Sequence, residues 1–221
     1  MIKLYIKLVY LKYKRENPSY TWSKRLRIKS YSKKAITHSE IGYVSCHESS
    51  VDECTIHINA NIINMIHIFT KDYRACLIHE FIHASDIVYF LQNNCDHIVE
   101  RMDMFSEINA EYHEDKYLGY VGTNIKNMEN EISRKLKHTE GFWSANNINS
   151  LMYMIYHYIG HMKFSNKHST KKIATDFNFL DIKYRTPLIN LYKASLIKDI
   201  KQSSDAMLKA NREFMALLIH F

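Results

Sequence analysis

Two histidines and a glutamate stand at a spacing that suits metal-assisted hydrolysis. Residues 79–83 read His-Glu-Phe-Ile-His, so His79 and His83 are separated by one helical turn. On a helix, positions i and i+4 lie one above the other, and two imidazole nitrogens can bind one zinc ion. Glu80 lies about 100° around the helix axis, where its carboxylate can take a proton from a zinc-activated water. The pattern predicts one Zn²⁺ ion with Glu80 as the general base.

A catalytic zinc ion takes three protein ligands and keeps one position open. Glu107 and Glu111 stand in Glu-Ile-Asn-Ala-Glu, which resembles the E-x-x-A-[DE] pattern of gluzincin peptidases. That resemblance implies that Glu107 is the third ligand and that Glu111 orients a zinc-binding histidine. For both residues, the alternative is a solvated acidic helix face. Asp86 shares the helical face of the two histidines, and it either orients a ligand or is a polar residue at the rim of the helix.

The two motifs together, HEFIHASD and FSEINAE, resemble those of the mitochondrial inner-membrane metallopeptidases that process an ATP-synthase subunit. The similarity covers residues 79–111. It implies a zincin-like fold and zinc peptidase chemistry, with His79, Glu80, His83 and Glu107 in the roles given above. Phe105 stands where that family has a cysteine, and residues 140–221 have no counterpart in it. The resemblance therefore extends to fold and zinc chemistry, and not to substrate or compartment.

Other functions stay open beside a zinc metalloendopeptidase that acts on a protein or peptide substrate. The motif also resembles that of SprT-like DNA-associated peptidases, which use a histidine as third ligand. His97, in Asn-Cys-Asp-His, is the corresponding candidate here. Two further alternatives are a non-catalytic zinc-containing binding protein with a basic docking arm and a protein that zinc merely stabilises.

Further polar residues stand near the predicted site. Tyr153, His157 and His161 share one face of a helix predicted over residues 147–164. His157 or Tyr153 is a candidate hydrogen-bond donor to the oxyanion of the reaction, and polar tips at the edge of a helical core are the simpler interpretation. Residues 55–59 are either an edge strand that aligns an extended peptide or an interior strand.

The secondary-structure elements that must position these residues are strands in the first part of the chain and helices after it. This order predicts an α+β fold of zincin-like type. Residues 1–60 read as β-rich, with strands at Ile2–Tyr13, Arg25–Tyr31, Ile41–Cys46 and Cys54–Ile58. The active helix is predicted at about 73–91 with Asp72 as N-cap, and the third-ligand helix at about 100–118, closed by Gly119 and Gly122. Further helices are predicted at 147–164, 183–200 and 204–219. We expect a catalytic core at 1–125 and a helical lobe at 126–221 packed on the same domain.

Charge is unevenly distributed along the chain, whose net charge is +7. Residues 1–39 contain eleven Lys and Arg but one acid, Glu16. Such a basic arm favours an anionic partner, either a membrane surface or nucleic acid, and a solvated basic face is the alternative.

Composition excludes several protein classes. With 5 glycines, the chain cannot assemble a phosphate-binding or dinucleotide-binding glycine motif. It contains no apolar run long enough for a transmembrane helix, and its start does not resemble a secretory signal. The four cysteines show neither metal-knuckle spacing nor a disulfide framework. The lack of a disulfide framework favours a reducing intracellular compartment: the cytoplasm, or the mitochondrion if the family resemblance holds. A secreted effector is the remaining alternative.

Overall fold

The computed structural model describes residues 2–31, 42–59, 69–138 and 144–219. The chain divides into two compact units, Met1–Met102 and Asp103–Phe221. Among the described residues, the first unit combines helices with a small sheet and the second is helical. The predicted α+β class is confirmed, with helix far more abundant than strand. This division does not test the predicted core at 1–125 and lobe at 126–221, which stay predictions.

The described part of the first unit contains α1 (Ile2–Glu16), β1 (Arg25–Tyr31), β2 (Gly42–Val44), β3 (Glu53–Asn59), α2 (Lys71–Gln92) and α3 (Ile98–Arg101). β3 lies in the centre of the three-stranded sheet, parallel to β1 and antiparallel to β2. Leu26 is opposite Cys54 and Ile28 is opposite Ile56, and all four side chains are buried. The edge-strand interpretation of residues 55–59 is therefore wrong, because β3 has a neighbour on each side.

The predicted strand at Ile2–Tyr13 is wrong, because the segment forms α1, and residues 1–60 are less β-rich than expected. Ile6 and Tyr10 lie one turn apart on α1 and are almost fully buried. The Tyr10 ring lies 5.2 Å from the ring of Phe81 in α2, at a steep angle typical of edge-to-face packing. Packing of this face outweighs the strand preference of the Ile, Val and Tyr residues in the segment. Strands β1 and β3 are confirmed. Of the strand predicted at Ile41–Cys46, Gly42–Val44 forms β2, and Ile41 lies outside the described residues.

Helix α2 carries the H-E-x-x-H motif and begins and ends close to its predicted bounds. Its N-cap is Thr70, whose side-chain hydroxyl accepts a hydrogen bond from the backbone N–H of Tyr73 at 3.2 Å. The predicted cap, Asp72, instead lies in the first turn, where a carboxylate interacts favourably with the helix dipole. Residues 77–88 are all buried, so α2 is a central element of its unit and not a surface helix.

The second unit is built from helices in its described part. A π-helical stretch at Met102–Ser106 leads into α4 (Glu107–Leu118), followed by α5 (Ile125–His138), α6 (Ala145–His168), α7 (Ile182–Ser195) and α8 (Ile200–Ile219). The sequence did not predict α5, and the predicted helix at 100–118 is divided into α3, the π-helical stretch and α4. Gly119 ends α4 as predicted, with a left-handed φ of 83° that suits glycine.

Helices α7 and α8 close the chain as a packed pair. The rings of Tyr184 and Phe214 lie 5.8 Å apart, and the Ser203 hydroxyl donates a hydrogen bond to the Ala194 carbonyl at 2.9 Å. Within the described ranges, no helix has both the length and the apolar character needed to cross a lipid bilayer.

Candidate metal centre

His79 and His83 form a buried pair on α2. The two residues are 9% and 7% exposed. Their rings meet edge to face, with centroids 4.7 Å apart. A ligand atom of each lies within 4.8 Å of one in the other. A tetrahedral metal ion such as zinc holds two imidazole nitrogens about 3.4 Å apart. The two histidines are therefore close enough to share one metal ion.

Glu80 is the buried carboxylate next to this pair. Glu80 is 8% exposed. Its neighbours along the helix are apolar and buried: Leu77, Ile78, Phe81 and Ile82. Burial raises the pKa of the Cys54 thiol on β3 to about 12, and the nearby charge of Glu80 acts in the same direction. Only a thiolate binds metal well, so Cys54 stays protonated and does not compete with the histidines. Glu80 thus lies in buried, largely apolar surroundings, in which the electrostatic interactions of a carboxylate are stronger than in water.

Asp86 is buried on the same helix, at 3% exposure. Burial raises the pKa of the Tyr13 hydroxyl on α1, and the charges of Tyr20 and Asp86 add to the effect. Asp86 is thus close enough to α1 for its charge to act there. Its burial argues against a polar residue at the helix rim, and its predicted role in orienting a ligand stays a prediction.

His97 lies at the start of α3 with a left-handed φ of 49°. Its imidazole is about half exposed, with Nε2 3.9 Å from an Asp96 carboxylate oxygen and Nδ1 3.8 Å from one of Glu100. In the described part of the chain, it belongs to no group of three or more ligand atoms placed to hold a metal ion. Nothing in these surroundings favours His97 as the alternative third ligand.

In the second unit, three carboxylates of α4 face two imidazoles of α6, and the acids and histidines alternate along the contact. His157 Nε2 lies 3.4 Å from Glu107 Oε2, and His157 Nδ1 lies 2.5 Å from Glu111 Oε2. His161 Nδ1 lies 3.3 Å from Glu111 Oε1 and 2.7 Å from Asp115 Oδ2. The three acids are one turn apart on α4, as are the two histidines on α6, so the contacts succeed one another along both helices. We call these five residues the carboxylate–imidazole ladder.

The inner end of the ladder holds protons more tightly than its residues do in water. Burial opposes protonation of His161, but its hydrogen bond with Asp115 and the charge of Glu111 raise the His161 pKa overall. Burial also raises the pKa of Asp115 against the effect of that hydrogen bond, and Glu111 adds to the rise. Because three acids face two imidazoles, each negative charge stabilises protons on its neighbours.

Glu111, Asp115 and His161 are all buried, and their ligand atoms lie within 4.8 Å of one another. Such a group could hold a metal ion. Its atoms already contact one another within the ladder, at the distances given above, so shared protons can satisfy them without an ion. These three residues therefore form the inner part of the ladder, and the predicted role of Glu111 in orienting a zinc-binding histidine stays a prediction.

His157 and Tyr153 were predicted as candidate donors to an oxyanion. Both ring nitrogens of His157 face carboxylates of the ladder, an arrangement that favours positioning Glu107 and Glu111 over donating to substrate. The Tyr153 ring lies 4.1 Å from the His157 ring and is 53% exposed. The geometry thus favours Tyr153 over His157 as the oxyanion donor, and that role stays a prediction.

Gly160 allows α4 and α6 to approach closely at the ladder. A Cβ atom at this position would lie 2.6 Å from Glu111 Cβ and 3.0 Å from the Ile108 carbonyl oxygen. Sequence reasoning missed Gly160 and Asp115. Two signals could have found them: a glycine inside an otherwise apolar helix, and an acid one turn beyond Glu111.

The change Gly160→Ala should destabilise the protein by about 1–3 kcal/mol, because the added methyl group overpacks the contact between α4 and α6. For a chain of this length, each kcal/mol lowers the thermal midpoint by about 2–4 °C. Thermal unfolding followed by circular dichroism measures the change. Gly122→Ala is the matched control, since its Cβ would meet only Leu118 Cδ1 at an ordinary 3.7 Å. Equal midpoints for the two variants would contradict the close approach at Gly160.

In comparisons with known proteins, no protein-family model, no curated protein and no solved structure matches the chain. Buried His, Glu and Asp side chains of the described residues do form groups that could hold a metal ion. Function must therefore be inferred from the chemistry of these residues.

Proposed function

We propose that this chain is a zinc-dependent metalloendopeptidase of gluzincin type with a zincin-like catalytic fold. The observation that carries the proposal is the buried His79–His83 pair, with Glu80 beside it on a helix that is otherwise largely apolar. Burying three such polar side chains together costs free energy unless they have suitable partners. A metal ion bound by both imidazoles is one such partner, and the carboxylate beside them is placed to move protons.

In this proposal, His79, His83 and Glu107 hold the zinc ion. Bound zinc supplies Lewis acidity, which lowers the pKa of a water molecule and polarises the substrate carbonyl. Glu107 is assigned on the E-x-x-A-E pattern, and its contact with His157 supports the assignment, because a metal-binding carboxylate needs a partner that fixes its orientation.

The other residues of the chain then have separate tasks. Glu80 accepts a proton from the attacking water and later donates it to the amine that leaves. Glu111 and His157 hold the outer end of the ladder in place, with His161 and Asp115 behind them. Tyr153 donates a hydrogen bond to the oxyanion, a role that its exposed side chain permits.

The direct test combines metal analysis with hydrolysis of an unfolded protein. The purified chain should contain about one zinc per molecule, as expected for one set of three ligands, and should cleave fluorescently labelled casein. Removing the metal with 1,10-phenanthroline should abolish cleavage, and adding zinc back should restore it. Plasma-mass spectrometry measures the zinc and fluorescence measures the cleavage.

Two outcomes would contradict the proposal in different ways. A protein that binds zinc but cleaves neither casein nor a peptide library would be a zinc-containing binding or structural protein. A protein that binds no zinc when folded would remove the metal centre altogether.

A further inference from the structure

Helix α1 has two opposite apolar faces, and in the described part of its unit one of them is buried while the other is exposed. Ile6 and Tyr10 form the inner face and are buried against neighbours that include Phe81. Leu4, Leu8 and Leu11 lie on the outer face and are 62%, 56% and 58% exposed. Leucines exposed to this extent in a row are unusual, since most large apolar residues that face solvent do so singly.

The three leucines form one stripe. At about 100° per residue, they fall within an arc of about 60°, almost opposite Ile6. Lys3 and Lys7 flank this stripe on one side and Lys12 flanks it on the other. A helix with one apolar stripe bordered by lysines can lie along an interface between water and a less polar phase.

Much of the net positive charge in the described part of the basic arm lies on α1. The helix contains five Lys and Arg residues and one acid, Glu16. On α1, one lysine forms an ion pair, Lys12 with Glu16 at 3.8 Å. In and beside β1, three basic residues do so: Lys24 with Asp52 at 2.7 Å, Arg27 with Glu53 at 2.6 Å and Lys29 with Glu48 at 2.9 Å. The acids that follow in the sequence thus balance charge near the sheet, while α1 keeps its excess.

We propose that the outer face of α1 docks the protein onto an anionic lipid membrane. Leu4, Leu8 and Leu11 enter the boundary between the headgroups and the acyl chains, and the flanking lysines remain at the level of the lipid phosphates. This inference does not depend on the metal centre, because no residue of the stripe takes part in it.

The leucine stripe distinguishes a membrane from the other candidate partners of a basic surface. Nucleic acid is bound chiefly through its phosphates, and a row of leucines between the lysines contributes little to such binding. A second copy of the chain would bring two strongly basic helices together, and their charges would repel. An anionic membrane matches both the apolar stripe and the charge around it.

The test is co-sedimentation of the full chain with lipid vesicles. The protein should bind vesicles of phosphatidylcholine mixed with phosphatidylserine and should bind pure phosphatidylcholine far more weakly. Replacing Leu4, Leu8 and Leu11 together with serine should weaken binding about 100-fold, because the apolar contribution is lost. Lys3→Glu with Lys7→Glu should weaken it at least about 10-fold and should reduce its sensitivity to salt.

Leu196→Ser is the matched control, since Leu196 is also about half exposed but belongs to the second unit, and it should leave vesicle binding unchanged. Circular dichroism and thermal unfolding verify that each variant is folded. We expect all of them to fold, because the replaced leucines are exposed. Absence of binding to the anionic vesicles would overturn the proposal, as would full binding by the triple serine variant. If light scattering shows a dimer that depends on the leucines, the partner is a second copy of the chain and the proposal is overturned. If the protein binds duplex DNA independently of the leucines and does not bind vesicles, the partner is nucleic acid and the proposal is again overturned.

Discussion

Replacing Glu80 with glutamine should lower the turnover of casein by about 100- to 10 000-fold, the range that general acid–base catalysis contributes. Glutamine has nearly the same shape as glutamate but cannot accept the proton of the attacking water. His79 and His83 remain in this variant, so zinc content and thermal midpoint should stay close to those of the parent protein. We therefore expect the turnover number to fall while the zinc content stays unchanged.

The change Glu100→Gln is the matched control for this experiment. Glu100 is also a glutamate on a helix of the first unit, but its side chain is half exposed. Its replacement should leave turnover unchanged. If Glu80→Gln cleaves casein as fast as the parent protein, Glu80 is not the general base.

Helix α2, which carries the H-E-x-x-H motif, could be predicted from sequence because its signals are local. The spacing of His79 and His83 defines a shared face on any helix, and the apolar residues around them indicate burial on all sides. The structure places α2 within two residues of the predicted start and one of the predicted end. Only the cap differs from the prediction. The backbone of Thr70 is extended, so this residue precedes the helix, and its hydroxyl is placed to accept a hydrogen bond from the first turn.

The first helix shows where local signals are not sufficient. Its Ile, Val and Tyr residues favour a strand, and its alternation of apolar and Lys residues over the first positions supports the same choice. The burial pattern of Ile6 and Tyr10 follows a helical period, but which apolar residues are buried depends on α2, far away in the sequence. The exposed leucines hid this pattern, since they give the segment a second apolar face opposite the buried one.

The carboxylate–imidazole ladder could be predicted only in parts. The sequence indicates that Glu107 and Glu111 share a face and that His157 and His161 share another. It does not indicate that the two faces meet, because α4 and α6 are separated by a whole intervening helix, α5. Gly160 makes that contact possible by leaving room for Glu111, and an unaligned sequence gives no means of pairing these two positions.

The change Glu107→Ala should weaken zinc binding by about 100- to 1000-fold. Zinc sites with four ligands bind with about 10–16 kcal/mol, so one ligand contributes a share of about 2.5–4 kcal/mol. Glu111→Ala should weaken binding about 10- to 100-fold, as expected for a residue that acts through a ligand. His97→Ala should have no effect. Competition with a chromophoric chelator measures the dissociation constants, and circular dichroism verifies folding.

His157→Ala adds a second comparison, because it tests whether the ladder acts through Glu107. His157 contacts both Glu107 and Glu111, so its loss should weaken zinc binding by an amount similar to that of Glu111→Ala. In a variant that already lacks Glu107, the same change should have little further effect, because the residue that it positions is gone. Additive losses would separate His157 from the metal centre. Loss of zinc in His97→Ala with full binding in Glu107→Ala would instead identify His97 as the third ligand and overturn the gluzincin assignment.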